Sequence, residues 1–132
     1  SDLALEISGL PMIIGEYHFG TVDRGLAQSL WQVNSQKERG DAFRYYTENA
    51  FAHRGLIGTG WFRWIDQNIN GRTDGENYNC GFIDVTDRPY PYMVDAAIET
   101  AKSLYEIHSG TKTPFHQAPN AVGHSPIPDL WE

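Results

Sequence analysis

Glu16 closes a run of apolar residues, Pro11 to Ile14, with only Gly15 between, and Tyr17, His18 and Phe19 follow at once. A second run, Leu56 to Gly60, ends in Trp61-Phe62-Arg63-Trp64-Ile65-Asp66-Gln67. A carboxylate at a strand end, set among aromatic rings and polar side chains, suits glycoside cleavage. That reaction uses two carboxylates, one on either side of the scissile bond. Ring faces stack on sugar rings, and Asn, Gln, His and Asp bind hydroxyls.

Structural roles compete with each of these. Glu16 equally fits a buried carboxylate paired with Arg24 or Arg63. His18 fits a hydrogen-bonded core histidine, and Trp61 and Trp64 fit ordinary packing, one of them inward and the other toward a pocket. A metal site from Glu16, His18 and Asp66 is a further alternative. The H-x-x-x-H and H-E-x-x-H spacings are absent, so neither a metal nor another cofactor is expected.

The elements that must carry these residues can be read in order. Residues 2–9 suit the end of a helix, with Leu3, Ala4 and Ile7 on one face and Gly9 as the stop. Residues 11–18 suit a strand, whose continuous apolar start fits a parallel sheet covered on both sides. Residues 21–34 read as loop with a short helical turn. Ser35 and Glu38 form a capping-box pattern, which predicts a helix to about Ala52, closed by Arg54-Gly55. Within it Gly40 weakens the helix. Residues 56–65 read as a second strand, in which Gly58 and Gly60 suggest close backbone contact or a bend. Residues 66–88 form a long polar connection, ordered by its aromatics. Pro89 and Pro91 lead into a helix over about 91–108, with the stripe Met93, Ala97, Ala101, Leu104 and His108, Ile98 and Tyr105 beside it, and Gly110 as the stop. The tail, 111–132, holds four prolines and reads as extended chain, wrapped on a surface or mobile.

This order is that of βα units on a parallel sheet. Two parallel strands leave both edges open and do not make a stable domain alone, so the sequence is expected to be part of something larger. In a (β/α)8 barrel, chemistry sits at the C-terminal ends of strands, where Glu16 and the Trp61–Gln67 stretch fall.

Composition sets the outer limits. The 132 residues, 40% hydrophobic and 20% charged, suit one soluble globular domain. No apolar run approaches the ~18 residues of a membrane span. No signal peptide is visible, and the signal of a secreted parent would lie upstream of Ser1. A net charge of −7 argues against a nucleic-acid partner and is compatible with a neutral substrate. The single Cys80 excludes an internal disulfide and a cysteine-based zinc site.

The stretches IIGEYHFGTVDRG, GTGWFRWIDQ and GRTDGENYNCGFIDVTDRPYPYMV resemble the C-terminal end of the β-agarases, glycoside hydrolase family 50, over about residues 11–105. The resemblance implies an α/β fold: a C-terminal fragment of a retaining (β/α)8 TIM barrel, roughly its last quarter. Residues 1–110 would form the last two βα units and 111–132 an extended tail. The strand ending at Glu16 would be strand seven, with Glu16 the nucleophile and His18 beside it in the sugar site. Strand eight would bring Trp61, Trp64, Asp66 and Gln67 to the substrate as binding residues, and Glu76 and Asn77 would follow on the next loop at the same face. The substrate would be a β-linked galactan such as agarose, and the parent enzyme secreted or periplasmic. The acid/base of this clan follows an Asn at the end of strand four, which is missing here, so the isolated chain is expected to be inactive. A non-catalytic galactan-binding module built on Trp61, Trp64, Tyr78 and His18 is one alternative. A barrel fragment that self-associates, or docks on a missing N-terminal barrel portion, is another.

Overall fold

The computed structural model describes residues 2–123, with side chains from Leu5 onward. The predicted face shared by Leu3 and Ala4, and the tail beyond Gly123, lie outside the described residues. The elements are α1 (Asp2–Ser8), β1 (Met12–Tyr17), β2 (Trp31–Gln32), α2 (Gln36–Ala52), β3 (Leu56–Trp61), α3 (Pro91–Ser109) and β4 (Val122–Gly123). This is a mixed α/β arrangement.

β1 and β3 pair in parallel, as the apolar runs predict, with α2 as the crossover. Their register is irregular at both ends. Between Met12↔Leu56 and Ile13↔Gly58, β3 carries an extra residue; between Ile14↔Thr59 and Tyr17↔Trp61, two residues of β1 stand against one of β3. The second irregularity is a bulge at Gly15-Glu16, which turns the end of β1. The backbones come close there: a Cβ on Gly60 would stand 2.5 Å from the Gly15 carbonyl oxygen.

The strands are less covered than their apolar runs predict. Ile13 is 66% and Ile57 53% exposed, because among the described residues the sheet has two strands and both are edges. The second strand ends at Trp61 rather than Ile65. Beyond it the backbone turns away through a cis Phe62–Arg63 peptide, and only Ile65 makes a bridge, to Ile83.

Helix α2 starts as predicted. The Ser35 hydroxyl accepts from the Glu38 N–H at 3.2 Å. The Glu38 carboxylate, however, reaches past Ser35 to the backbone N–H and side chain of Asn34, both at 3.1 Å. Gly40 serves packing: a Cβ there would stand 2.5 Å from the Tyr92 carbonyl oxygen, so α2 and α3 meet backbone to backbone. Farther along, Glu48 Oε1 accepts from Thr100 Oγ1, and Phe51 O lies 2.9 Å from His108 Nδ1. The two helices therefore run in the same direction.

The buried face of α3 is Met93, Ala96, Thr100, Ser103 and Ile107. The predicted stripe is rotated from it: Ala101 and His108 are exposed. Hydropathy misplaced the face because Thr100 and Ser103 are buried with partners, Glu48 and Lys112. The predicted helical turn in 21–34 is replaced by bends and by β2, whose partner β4 lies some ninety residues away.

Two apolar clusters hold sheet to helices. Phe43, Tyr90, Met93 and Ala96 form one; Phe19, Val33 and Ala42 form the other. Trp61 packs against both. After α3 the chain returns along α2. The Phe115 N–H donates to Glu48 Oε2 at 2.7 Å, Asn49 donates to Phe115 O at 2.9 Å, and the Arg44 guanidinium lies 4.6 Å from the Phe115 ring. Ala121 then joins the Phe19 cluster, and β4 pairs with β2.

Candidate active site

The bulge and the open strand end leave Glu16 exposed, where β1 would otherwise bury alternate residues. It lines a pocket of about 270 Å3 with Tyr17, His18, Leu30, Trp31 and Tyr46. It is the one carboxylate in that lining, and among the described residues no arginine or lysine pairs with it. The ion pair with Arg24 or Arg63, one of its two alternatives, is not formed; Arg24 meets Asp23 instead, at 3.9 Å.

Tyr17 lines the pocket and is anchored on α2. Its hydroxyl hydrogen-bonds to Thr47, and its ring stacks on Tyr46 at 4.4 Å. Burial pushes its pKa up, so it stays a neutral phenol. The position before it is thereby fixed by packing on α2.

His18 is buried, and its Nε2 accepts from the Leu30 N–H at 3.2 Å. That bond requires an unprotonated Nε2, so the neutral ring carries its proton on Nδ1. Burial lowers the His18 pKa to about 4, with Glu76 opposing and Arg39 adding to the shift. The imidazole is neutral at neutral pH, and its Nδ1–H remains as a donor.

The other residues singled out in the sequence lie behind this pocket or beside it. Trp61 donates its indole N–H to Cys80 O at 2.7 Å, with its ring among Tyr17, Phe19, Phe43 and Phe82. Trp64 is 69% exposed and stacks on Phe82. Asp66 is buried and accepts from Asn79 Nδ2, from the Gly81 N–H at 2.7 Å and from Tyr90 Oη at 2.5 Å. Gln67 is fully buried, accepting from the Tyr78 N–H and donating to Glu76. Glu76 also meets Arg72 at 3.5 Å. Asn77 donates its side chain to Ile69 O and accepts from the Ala27 N–H on its backbone oxygen. None of these six lines the Glu16 pocket.

Of the six, Asp66 is hydrogen-bonded into a buried polar platform that sequence reasoning missed. Arg39 on α2, with no exposed surface, donates to Phe19 O, Gln36 Oε1 and Gly81 O, each at 2.9 Å, and lies 5.1 Å from the Tyr90 ring. Burial lowers its pKa, while the nearby Asp66 charge supports the guanidinium. Gln36 joins Asp23 to Asn79. One network thus ties the segments after β1 and β3 to the starts of α2 and α3. A cation and an anion buried this way cost about several kcal/mol each in desolvation, offset only by complete hydrogen bonding. No buried side-chain polar atom among the described residues lacks a partner. Cys80 sits within this layer, its thiol pushed up to about 11 by burial and so unreactive. Among the described residues no group of three His, Cys, Asp or Glu could hold a metal ion.

No family model matches the chain. It is 43% identical over 103 residues to β-agarase A of Vibrio sp. (strain JT0107), a match covering 76% of this chain and 10% of that protein. A solved exo-β-agarase superposes with a TM-score of 0.79 at 40% identity, over 83% of this chain and 15% of that one. The structure of PfGH50B superposes with a TM-score of 0.77 at 42% identity, over 80% and 16%. The chain is homologous to a segment of the family 50 β-agarases. It spans about a tenth of the length of the curated β-agarases it matches. The matched region is a mixed α/β unit of the agarase fold.

Proposed function

We propose that this chain supplies the nucleophile half of the active site of a retaining glycoside hydrolase acting on β-linked galactans such as agarose. In this reading β1 and β3 are strands seven and eight of a (β/α)8 barrel. The observation that supports it most is the setting of Glu16: the one carboxylate of its pocket, at the end of a parallel strand, unpaired, in a chain homologous to β-agarases.

The chemistry follows from that setting. A Glu16 carboxylate oxygen attacks the anomeric carbon as the glycosidic C–O bond breaks. The leaving oxygen takes its proton from a second carboxyl, which in retaining enzymes lies about 5–5.5 Å from the first. Water then attacks the glycosyl-enzyme ester, giving its proton to that same group. Among the described lining residues Glu16 is the one carboxyl, and in this reading the second comes from strand four of the barrel, outside this chain. His18, neutral and held by Leu30, donates from Nδ1 to a sugar hydroxyl. Asp66, Gln67, Trp61 and Glu76 act through position, holding the loop after β3 against the platform.

The test is a chimera in which this chain replaces the matching segment of the Vibrio β-agarase A. The chimera is expected to cleave agaro-oligosaccharides with retention, and Glu16→Gln to remove that activity while leaving the fold intact. A Glu16→Gln chimera that still cleaves at the parent rate would overturn the assignment.

A further inference from the structure

Trp31 takes no part in the assignments above, yet it lines the Glu16 pocket and is 51% exposed. Its backbone is held firmly. Its carbonyl oxygen accepts from the Gly20 N–H at 3.0 Å and from Ser29 Oγ at 2.7 Å, and Gly20 O accepts from the Val33 N–H at 2.9 Å. The residue before it, Leu30, gives its N–H to His18. The backbone that carries the ring is therefore tied to both His18 and the segment after β1.

Its side chain is positioned by the returning tail. β4 pairs Gly123 opposite Trp31, and a Cβ on Gly123 would stand 3.2 Å from Cη2 and Cζ3 of the indole. The tail is fastened on the way, at Phe115 against Glu48, Asn49 and Arg44, and at Ala121 in the core. A half-exposed indole held from behind by a glycine is a flat, rigid, apolar surface facing a pocket with a carboxylate and an imidazole. A pyranose ring presents a matching apolar C–H face with hydroxyls at its rim.

We infer that Trp31 is the stacking platform for a galactan sugar ring in the Glu16 pocket, and that β4 sets its position through Gly123. This rests on the reading of the pocket as a galactan site. It adds a binding residue, and it gives the 111–123 segment a role in shaping the site.

The test titrates the unaltered chain with agarotetraose up to millimolar concentration, following tryptophan fluorescence and the indole N–H resonances. The Trp31 resonance, assigned by its loss in Trp31→Phe, is expected to shift on binding. Trp31→Ala is expected to weaken binding about tenfold, in line with aromatic stacking energies, and Trp31→Phe to restore most of it. Gly123→Val is expected to move the Trp31 resonance in the free chain and to weaken binding severalfold. Tyr105→Ala, an aromatic control on α3 that is 89% exposed and outside the Glu16 pocket, should change nothing. A Trp31→Ala chain that binds as tightly as the unaltered one overturns the platform but not the hydrolase reading, which the Glu16→Gln chimera decides separately. Absence of any Trp31 response to the sugar overturns it as well. An unmoved resonance in Gly123→Val overturns the role of β4.

Discussion

The Gly15 carbonyl oxygen occupies the space where a Cβ on Gly60 would point, 2.5 Å away, at the bulge that presents Glu16. The oxygen belongs to backbone and a Cβ is fixed in direction by its own backbone, so neither can rotate aside. Gly60→Ala is expected to cost about 1–3 kcal/mol, the range of overpacking, and to lower agarotetraose cleavage by the chimera. Gly15 has open space around its own Cβ position. Gly15→Ala should therefore fall within about 0.5 kcal/mol of the parent. Urea unfolding of the two variants checks this, and equal costs would contradict it.

Asp66 gathers donors from Asn79, Gly81 and Tyr90, and an asparagine in its place would turn an amide donor toward other donors. Asp66→Asn is expected to destabilise the chain by about 2–4 kcal/mol. Tyr90→Phe removes one hydrogen bond to a charged acceptor and should cost about 1.5–3 kcal/mol. Both are read from denaturant midpoints. If Asp66→Asn leaves stability unchanged but abolishes sugar binding, Asp66 contacts the ligand and the platform account fails.

These two sites show what could be read from the sequence. The strand ends were legible because Glu16 and Trp61 each close an apolar run, and α2 because Ser35 and Glu38 announce it. Arg39 was not legible as a platform residue: on a helix surface pattern it reads as solvated, and its partners come from residues up to 42 positions away. Trp31 was hidden for the same reason. Two residues of β2 carry no periodicity of their own, and their partner strand arrives only after α3. The face of α3 misled because Thr100 and Ser103 are buried by hydrogen bonding rather than by hydrophobicity.

His18 predicts an acid limb in stability. Its folded pKa is lowered to about 4 from the ordinary value near 6.5, with burial the leading cause. The unfolded chain therefore binds the proton first as pH falls. Stability from this residue is full above about pH 6.5 and is lost progressively down to about pH 4, by up to roughly 3 kcal/mol. The measurement is the denaturation free energy of the parent against His18→Gln across that window. The parent should show the steeper decline; parallel curves would contradict the buried neutral imidazole.

Among the described residues both strands of the β1–β3 sheet are edges, and Ile13 and Ile57 in them and Tyr105 on α3 (89% exposed) lie uncovered. Unpaired strand edges with apolar neighbours drive association. Light scattering on the isolated chain is expected to give a mass above the monomer, lowered by Ile13→Lys or Ile57→Lys. A monomer at high concentration would contradict this.

The central claim is that Glu16 attacks the anomeric carbon. Azide rescue of the Glu16→Gly chimera, with an aryl β-glycoside of an agaro-oligosaccharide as substrate, tests it most directly. Azide entering the space left by the carboxylate attacks from the face opposite the leaving group. The account predicts restored turnover and an α-configured galactosyl azide. A β-configured azide, the product expected when the acid/base is missing instead, or no rescue beside full activity without azide, would contradict it.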